Sequence, residues 1–176
     1  VVIEKHPGVV FLIGFMAAGK STVGPLLAQQ LGWAFVDLDR HIERQLGKSV
    51  DRIFDEDGEP AFRTHETLAL AQVSLLDKRV IAVGGGTPTL ERNWPYLQRG
   101  LSVYLALSLE QLWARLKSAR RPLLDGLSES QRLERVRQLL QARLPGYRHA
   151  DLTVAADDTP LALAQCIARK VETYNW

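Results

Sequence analysis

The chain predicts an α/β fold built on one mostly parallel sheet. Five short apolar runs alternate with longer stretches of helical spacing. The runs are apolar on both faces, as strands covered by helices on either side must be. A glycine-rich segment joins the first run directly to the first helical stretch, the arrangement of a strand–loop–helix unit. With 176 residues and 46% hydrophobic composition, a single domain over residues 1–176 is expected.

Val9-Val10-Phe11-Leu12-Ile13 is the first strand candidate. It runs into Gly14-Phe15-Met16-Ala17-Ala18-Gly19-Lys20-Ser21, which fits G-x-x-x-x-G-K-[ST] at every fixed position. The following helix spans Lys20 to Leu31. This context separates the motif from a chance glycine turn. Small residues let the backbone N–H groups of such a loop close around phosphates, and the helix N-terminus adds partial positive charge. Lys20 brings a full charge to the β- and γ-phosphates, Ser21 can ligate Mg²⁺, and Thr22 is placed for a further phosphate contact. A nucleoside triphosphate site follows.

Ala34-Phe35-Val36 is the second strand, with Asp37-Leu38-Asp39 at its exit. Ligands of open parallel sheets bind beyond the carboxyl ends of the strands. One of these carboxylates can order Mg²⁺ and its waters while the other faces a hydroxyl. The competing reading makes Asp39 a helix N-cap. Asp37 to Arg63 is a long charged interruption, with a helix at Arg40 to Leu46 and another from Pro60 to Leu76. Arg63 and Glu66 share a face at i, i+3, either as a fork for a carboxylate or as a surface ion pair. Val80 to Val83 is the third strand, and Gly84-Gly85-Gly86 behind it permits close backbone approach to a ligand. Leu101 to Leu105 is the fourth, followed by a helix at Leu112 to Lys117. Ser118 to Ser130 is a polar segment carrying Arg120, Arg121 and Gly126, and it suits a lid closing over a triphosphate. The next helix runs from Ser130 to Ala142. Arg143-Leu144-Pro145-Gly146-Tyr147 ends it, where Arg143 could meet the terminal carbonyls. Leu152 to Ala155 is the fifth strand. Thr159 then caps a last helix that starts at Pro160 and continues to Tyr174.

Twenty-two basic against 20 acidic side chains, net +2, exclude a basic nucleic-acid tail and an acidic disordered one. The single cysteine, Cys166, excludes an internal disulfide framework and a cysteine-rich zinc site. No apolar run approaches the roughly 18 residues of a membrane span. The start Val1-Val2-Ile3 shows no basic-then-apolar leader, so no signal peptide is expected. No N/T-K-x-D tetrapeptide marks a GTPase, and the size argues against a motor ATPase. A compact kinase of a small molecule remains.

The assembled pieces resemble the shikimate kinase family, within the nucleoside-monophosphate-kinase-like P-loop fold. They are residues 14–24, Asp37-Leu38-Asp39, Ile53-Phe54, Glu59-Pro60-Ala61-Phe62-Arg63, Gly84-Gly85-Gly86, Arg121-Pro122-Leu123-Leu124 and Arg143 with Tyr147, in family order. The resemblance implies a three-layer P-loop kinase fold. Its five-stranded parallel sheet would have the order 2-3-1-4-5, with a substrate-binding region at about 40–63 and a lid at about 118–130. It implies Mg²⁺ with ATP as co-substrate, and transfer to the shikimate 3-hydroxyl on the way to chorismate and the aromatic amino acids. Lys20, Asp39 and Arg121 would be catalytic. Ala17, Ala18, Gly19, Lys20, Ser21, Thr22, Arg115 and Arg121 would hold the nucleotide, and Ser21 and Asp37 the metal. Asp39, Arg63, Gly84, Gly85, Gly86 and Arg143 would hold shikimate, with Glu66 in support. A monomer in the cytoplasm, with no nucleic-acid or membrane partner, is expected. A gluconate-kinase-like enzyme and a non-catalytic sensor module are the alternatives. The family loop usually has glycine where Ala17 stands, and the Ala17 methyl makes a positive φ expensive there. Pro25, inside the first helix, is expected to leave the chemistry unaffected.

Overall fold

The computed structural model describes residues 8–117 and 122–175. In chain order the elements are β1 (Val9–Ile13), α1 (Lys20–Leu31), β2 (Ala34–Asp37), α2 (Leu38–Leu46), α3 (Val50–Glu56) and α4 (Gly58–Val73). These are followed by β3 (Arg79–Ala82), α5 (Trp94–Leu97), β4 (Leu101–Ala106), α6 (Leu109–Leu116), α7 (Glu129–Tyr147), β5 (Leu152–Ala155) and α8 (Pro160–Glu172). Single 3-10 turns lie at Thr87–Thr89, Glu91–Asn93 and Pro122–Leu124. The five strands are all parallel, in the order β2-β3-β1-β4-β5. This three-layer α/β architecture and the strand order are as expected.

Register decides where the functional segments meet. Leu12 of β1 and Asp37 of β2 both pair with Ala82 of β3. The glycine loop after β1, the two aspartates after β2 and the glycine triplet after β3 therefore leave the same sheet edge side by side.

The central strand β1 is fully buried from Val9 to Ile13, so its run reads as uniformly apolar. The edge strands differ from that expectation. In β2 Ala34 is exposed, and in β5 only Val154 is buried, because an edge strand has one neighbour and a thinner helical cover. Helix α1 packs on α8 and across β2 and β3, while α4 packs on α2 and α3.

Helix boundaries also move. The charged stretch after Asp37 is almost entirely helical, with α3 capped by Ser49 and α4 beginning at Gly58. Helix α6 starts at Leu109 behind a Ser108–Gln111 capping box. Helix α7 does not stop at Ala142: it runs through Pro145 to Tyr147. Pro145 removes one helical hydrogen bond and crowds the carbonyl four residues earlier, and the buried Arg143 and Tyr147 anchor this last stretch in spite of it.

Candidate active site

Two cavities meet at the carboxyl edge of the sheet. The first, about 390 Å³, is lined by Ala17, Gly19, Lys20, Ser21, Thr22 and Arg115. The second, about 340 Å³, is lined by Arg40, Phe54, Phe62, Arg63, Glu66, Gly86 and Arg143. Met16, Asp37, Asp39, Gly84 and Gly85 border both.

The glycine loop is built by its backbone. Gly19 sits at φ 99° ahead of α1, a conformation that costs glycine little. Ala17 also adopts a left-handed φ of 63°. The loop thus keeps its shape despite the added methyl, with a penalty of about 1–2 kcal/mol for an L-residue. Ala18 is buried, and its N–H donates to the Phe15 carbonyl at 3.1 Å. Lys20 Nζ lies along the loop, donating to the carbonyls of Gly14 (2.7 Å) and Phe15 (3.0 Å). Arg115, from the last turn of α6, donates to the carbonyls of Ala17 (3.1 Å) and Ala156 (3.3 Å), clamping the loop from outside. Thr22 is exposed at the cavity mouth.

The two aspartates divide their work. Asp37, not Asp39, is the N-cap of α2, accepting from the Arg40 N–H at 3.3 Å. Its other oxygen accepts from Ser21 Oγ at 2.7 Å. Asp39 lies in the first helical turn, which frees its side chain for the cavity. Asp39 Oδ1 is buried with no hydrogen-bond partner. Burial raises its carboxyl to about 6; Glu66 and Asp37 add to the rise, while Lys20 and Arg63 oppose it.

Arg63 and Glu66 do not form a surface pair. Glu66 is completely buried and Arg63 nearly so. Arg63 Nη1 donates to Glu66 Oε2 at 2.9 Å, and Nε and Nη2 donate to the exposed Glu59 at 3.2 and 2.9 Å. Arg143 is also buried, its guanidinium carbon 5.5 Å from the centre of the Phe15 ring. It points into the cavity and not at the end of its own helix. One turn later the Tyr147 hydroxyl donates to the Gly85 carbonyl at 2.7 Å. Burial pushes the Tyr147 phenol well above its usual range, so it remains a donor.

Each glycine of the triplet is close to a different functional group. A Cβ at Gly84 would lie 2.6 Å from Glu66 Oε1 and 3.2 Å from Asp39 Oδ1. At Gly85 it would meet Arg143 Nη1 at 3.0 Å, and at Gly86 Arg63 Nη2 at 2.5 Å. The backbone here doubles as cavity wall, and any larger residue would displace a charged side chain.

The structure thus brings Lys20, Ser21, Asp37, Asp39, Arg63, Glu66, the glycine triplet, Arg115 and Arg143 to one place. Arg120 and Arg121 lie outside the described residues. Sequence reasoning missed Met16 at the junction, and Thr87 and Asn93 behind Glu66. Thr87 carries the one available signal, its position directly after the triplet.

A family-wide profile described as "Shikimate kinase" matches residues 16–172. A shikimate kinase of Chlorobium chlorochromatii is 41% identical over 97% of this chain and 94% of its own length. One of Gloeobacter violaceus is 42% identical over 92% and 93%. Among solved structures, shikimate kinase from Acinetobacter baumannii in complex with shikimate superposes with a TM-score of 0.87 at 37% identity, covering 94% of this chain and 93% of that one. A deoxyadenosine kinase from M. mycoides, 16% identical with a TM-score of 0.60, shares the fold alone.

Proposed function

Because the chain belongs to the shikimate kinase family, whose members phosphorylate shikimate with ATP, we propose that its two joined cavities divide that reaction between them. The cavity along the glycine loop takes the ATP phosphates, and the cavity between Arg63 and Arg143 takes the acid. The observation that carries this reading is Asp39 Oδ1, buried and unpartnered where the two cavities meet.

The backbone of Ala17, Ala18 and Gly19 surrounds the phosphates, and Lys20 turns from the loop carbonyls toward them. Arg63 and Arg143 offer two planar forks to the shikimate carboxylate. Val50, Phe54 and Phe62 give the ring an apolar wall. Held so, the 3-hydroxyl faces Asp39. Its proton passes to the Asp39 carboxylate as its oxygen bonds to the γ-phosphorus. The bond from that phosphorus to the bridging oxygen breaks, and ADP and shikimate 3-phosphate result. Positioning and charge neutralisation supply most of the acceleration. Arg121 is assigned to the charge on the transferring group, in a lid at about 118–130.

Ser21 Oγ and Asp37 Oδ2, 2.7 Å apart beside the loop, are hard oxygen donors that fit Mg²⁺. That ion usually takes one or two protein oxygens and completes its shell with water and phosphate. When bound it would neutralise charge on the β- and γ-phosphate oxygens.

In this reading the chain is one domain, with residues 40–63 as its substrate region. We propose likewise that the enzyme is a cytoplasmic monomer, in a compartment where the lone Cys166 stays reduced. No described helix is long and apolar enough to cross a membrane. Light scattering after size exclusion tests the monomer. ADP release with shikimate and with gluconate tests the substrate. ADP formation dependent on shikimate is expected, and faster turnover of gluconate would overturn the assignment.

A further inference from the structure

Behind the acid cavity lies a closed ring of polar contacts that joins α4 to the segment after the glycine triplet. Arg63, Glu66 and Thr67 share one face of α4. Glu66 uses both oxygens: Oε2 accepts from Arg63 Nη1 at 2.9 Å, and Oε1 accepts from Thr87 Oγ1 at 2.6 Å. The Thr87 carbonyl accepts from Asn93 Nδ2 at 2.9 Å. Asn93 Oδ1 lies 2.8 Å from Thr67 Oγ1, which lies 3.0 Å from the Arg63 carbonyl and accepts from Arg92 Nε at 3.2 Å. Glu66, Thr87 and Asn93 are all completely buried. A buried carboxylate needs every contact it has, because water cannot replace one that is lost.

Resting on the carboxylate role proposed for Arg63, we propose that Thr87, with Asn93 behind it, is a positioning residue for substrate recognition. Thr87 fixes the rotation of Glu66, and Glu66 sets the plane in which Arg63 presents its guanidinium. Two observations make that setting consequential. Arg63 has a rival partner, since the exposed Glu59 already accepts from Nε and Nη2. The guanidinium also packs directly on Gly86, where a Cβ would stand 2.5 Å from Nη2, so a small change in its plane moves it against the cavity wall. With Glu66 free to turn, Arg63 would follow Glu59 outward and meet the substrate carboxylate at the wrong angle.

The test is steady-state kinetics of Thr87→Val, Thr87→Ser, Thr67→Val and Arg63→Lys, each with shikimate and ATP varied in turn. Thr87→Val keeps the shape and removes the donor. It should raise the KM for shikimate roughly tenfold, the loss of one hydrogen bond to a charged group, and leave the KM for ATP unchanged. Thr87→Ser should restore most of the difference. Thr67→Val, at the partly exposed end of the ring, should shift the shikimate KM in the same direction by less, and it decides the matter if Thr87→Val does not fold. An unchanged shikimate KM, an equal rise in both constants, or no recovery with serine would overturn the proposal. If Arg63→Lys also leaves the shikimate KM unchanged, the carboxylate role of Arg63 falls with it; if Arg63→Lys raises it, only the positioning role falls.

Discussion

Replacing Asp39 with asparagine is expected to stabilise the free protein while removing most of its catalysis. The Asp39 carboxyl titrates at about 6 in place of the ordinary 3.8, chiefly because it is buried, with Glu66 and Asp37 adding to the effect. A folded-state value above the unfolded one means that the native protein binds the proton more tightly. The stability this contributes is complete below about 3.8 and is lost as pH rises through about 6. At about 1.4 kcal/mol per pH unit, the ionised group costs the fold about 3 kcal/mol above that window. Asparagine keeps the shape and carries no charge. Urea denaturation of the nucleotide- and metal-free protein should therefore show Asp39→Asn more stable than wild type by up to about 3 kcal/mol near about pH 7.5, with the gap closing toward about pH 4. In the same variant turnover should fall by about 10²–10⁴, the usual worth of a positioned base. The wild-type kcat/KM for shikimate should fall toward acid pH, as the base is protonated, and this acid limb should be absent in Asp39→Asn. A variant no more stable than wild type at high pH, or a gap that does not change with pH, would refute the account of Asp39 as a buried carboxylate held for the reaction.

Gly86→Ala places a methyl where Arg63 Nη2 lies 2.5 Å away, so calorimetric titration should show shikimate binding weakened by about 10–100-fold, the range for a lost charge-assisted contact, with nucleotide binding intact. Arg143→Lys keeps the charge and loses the fork, so its kinetics should show a raised shikimate KM and a lowered kcat with the ATP KM unchanged. Ala17→Gly removes the left-handed strain at φ 63° but adds freedom to the unfolded chain. The net gain should be about 0.5–1 kcal/mol by urea midpoint; a loss would show that the methyl contacts of Ala17 outweigh the strain.

The phosphate loop was legible in the sequence because all its determinants are local. Gly14, Gly19, Lys20 and Ser21 lie within eight residues, between a strand and a helix that announce themselves by their periodicity. The five strands were legible for the same reason, and the Thr159–Pro160 helix start because a cap and a fixed φ act within one turn. Other features depend on groups far apart in the chain. Whether Asp37 or Asp39 caps α2 is a matter of where β2 ends, which pairing with β3 decides. Whether Arg143 caps a helix or enters the cavity depends on α7 continuing through Pro145, and Tyr147 makes that continuation worthwhile by reaching Gly85 across 62 residues. Spacing alone leaves Arg63 and Glu66 open between a carboxylate fork and a surface ion pair, and the tertiary packing that buries Glu66 and gives it Thr87 as a second partner decides it. By itself, then, the sequence determined the elements and the phosphate cradle, since helical and strand periods and backbone dihedrals are short-range. The acid cavity, the unpartnered Asp39 oxygen and the ring behind Arg63 were decided by the tertiary structure. They arise where parallel register brings three strand ends level and two distant helices deliver their arginines to adjacent backbone glycines, Arg143 to Gly85 and Arg63 to Gly86.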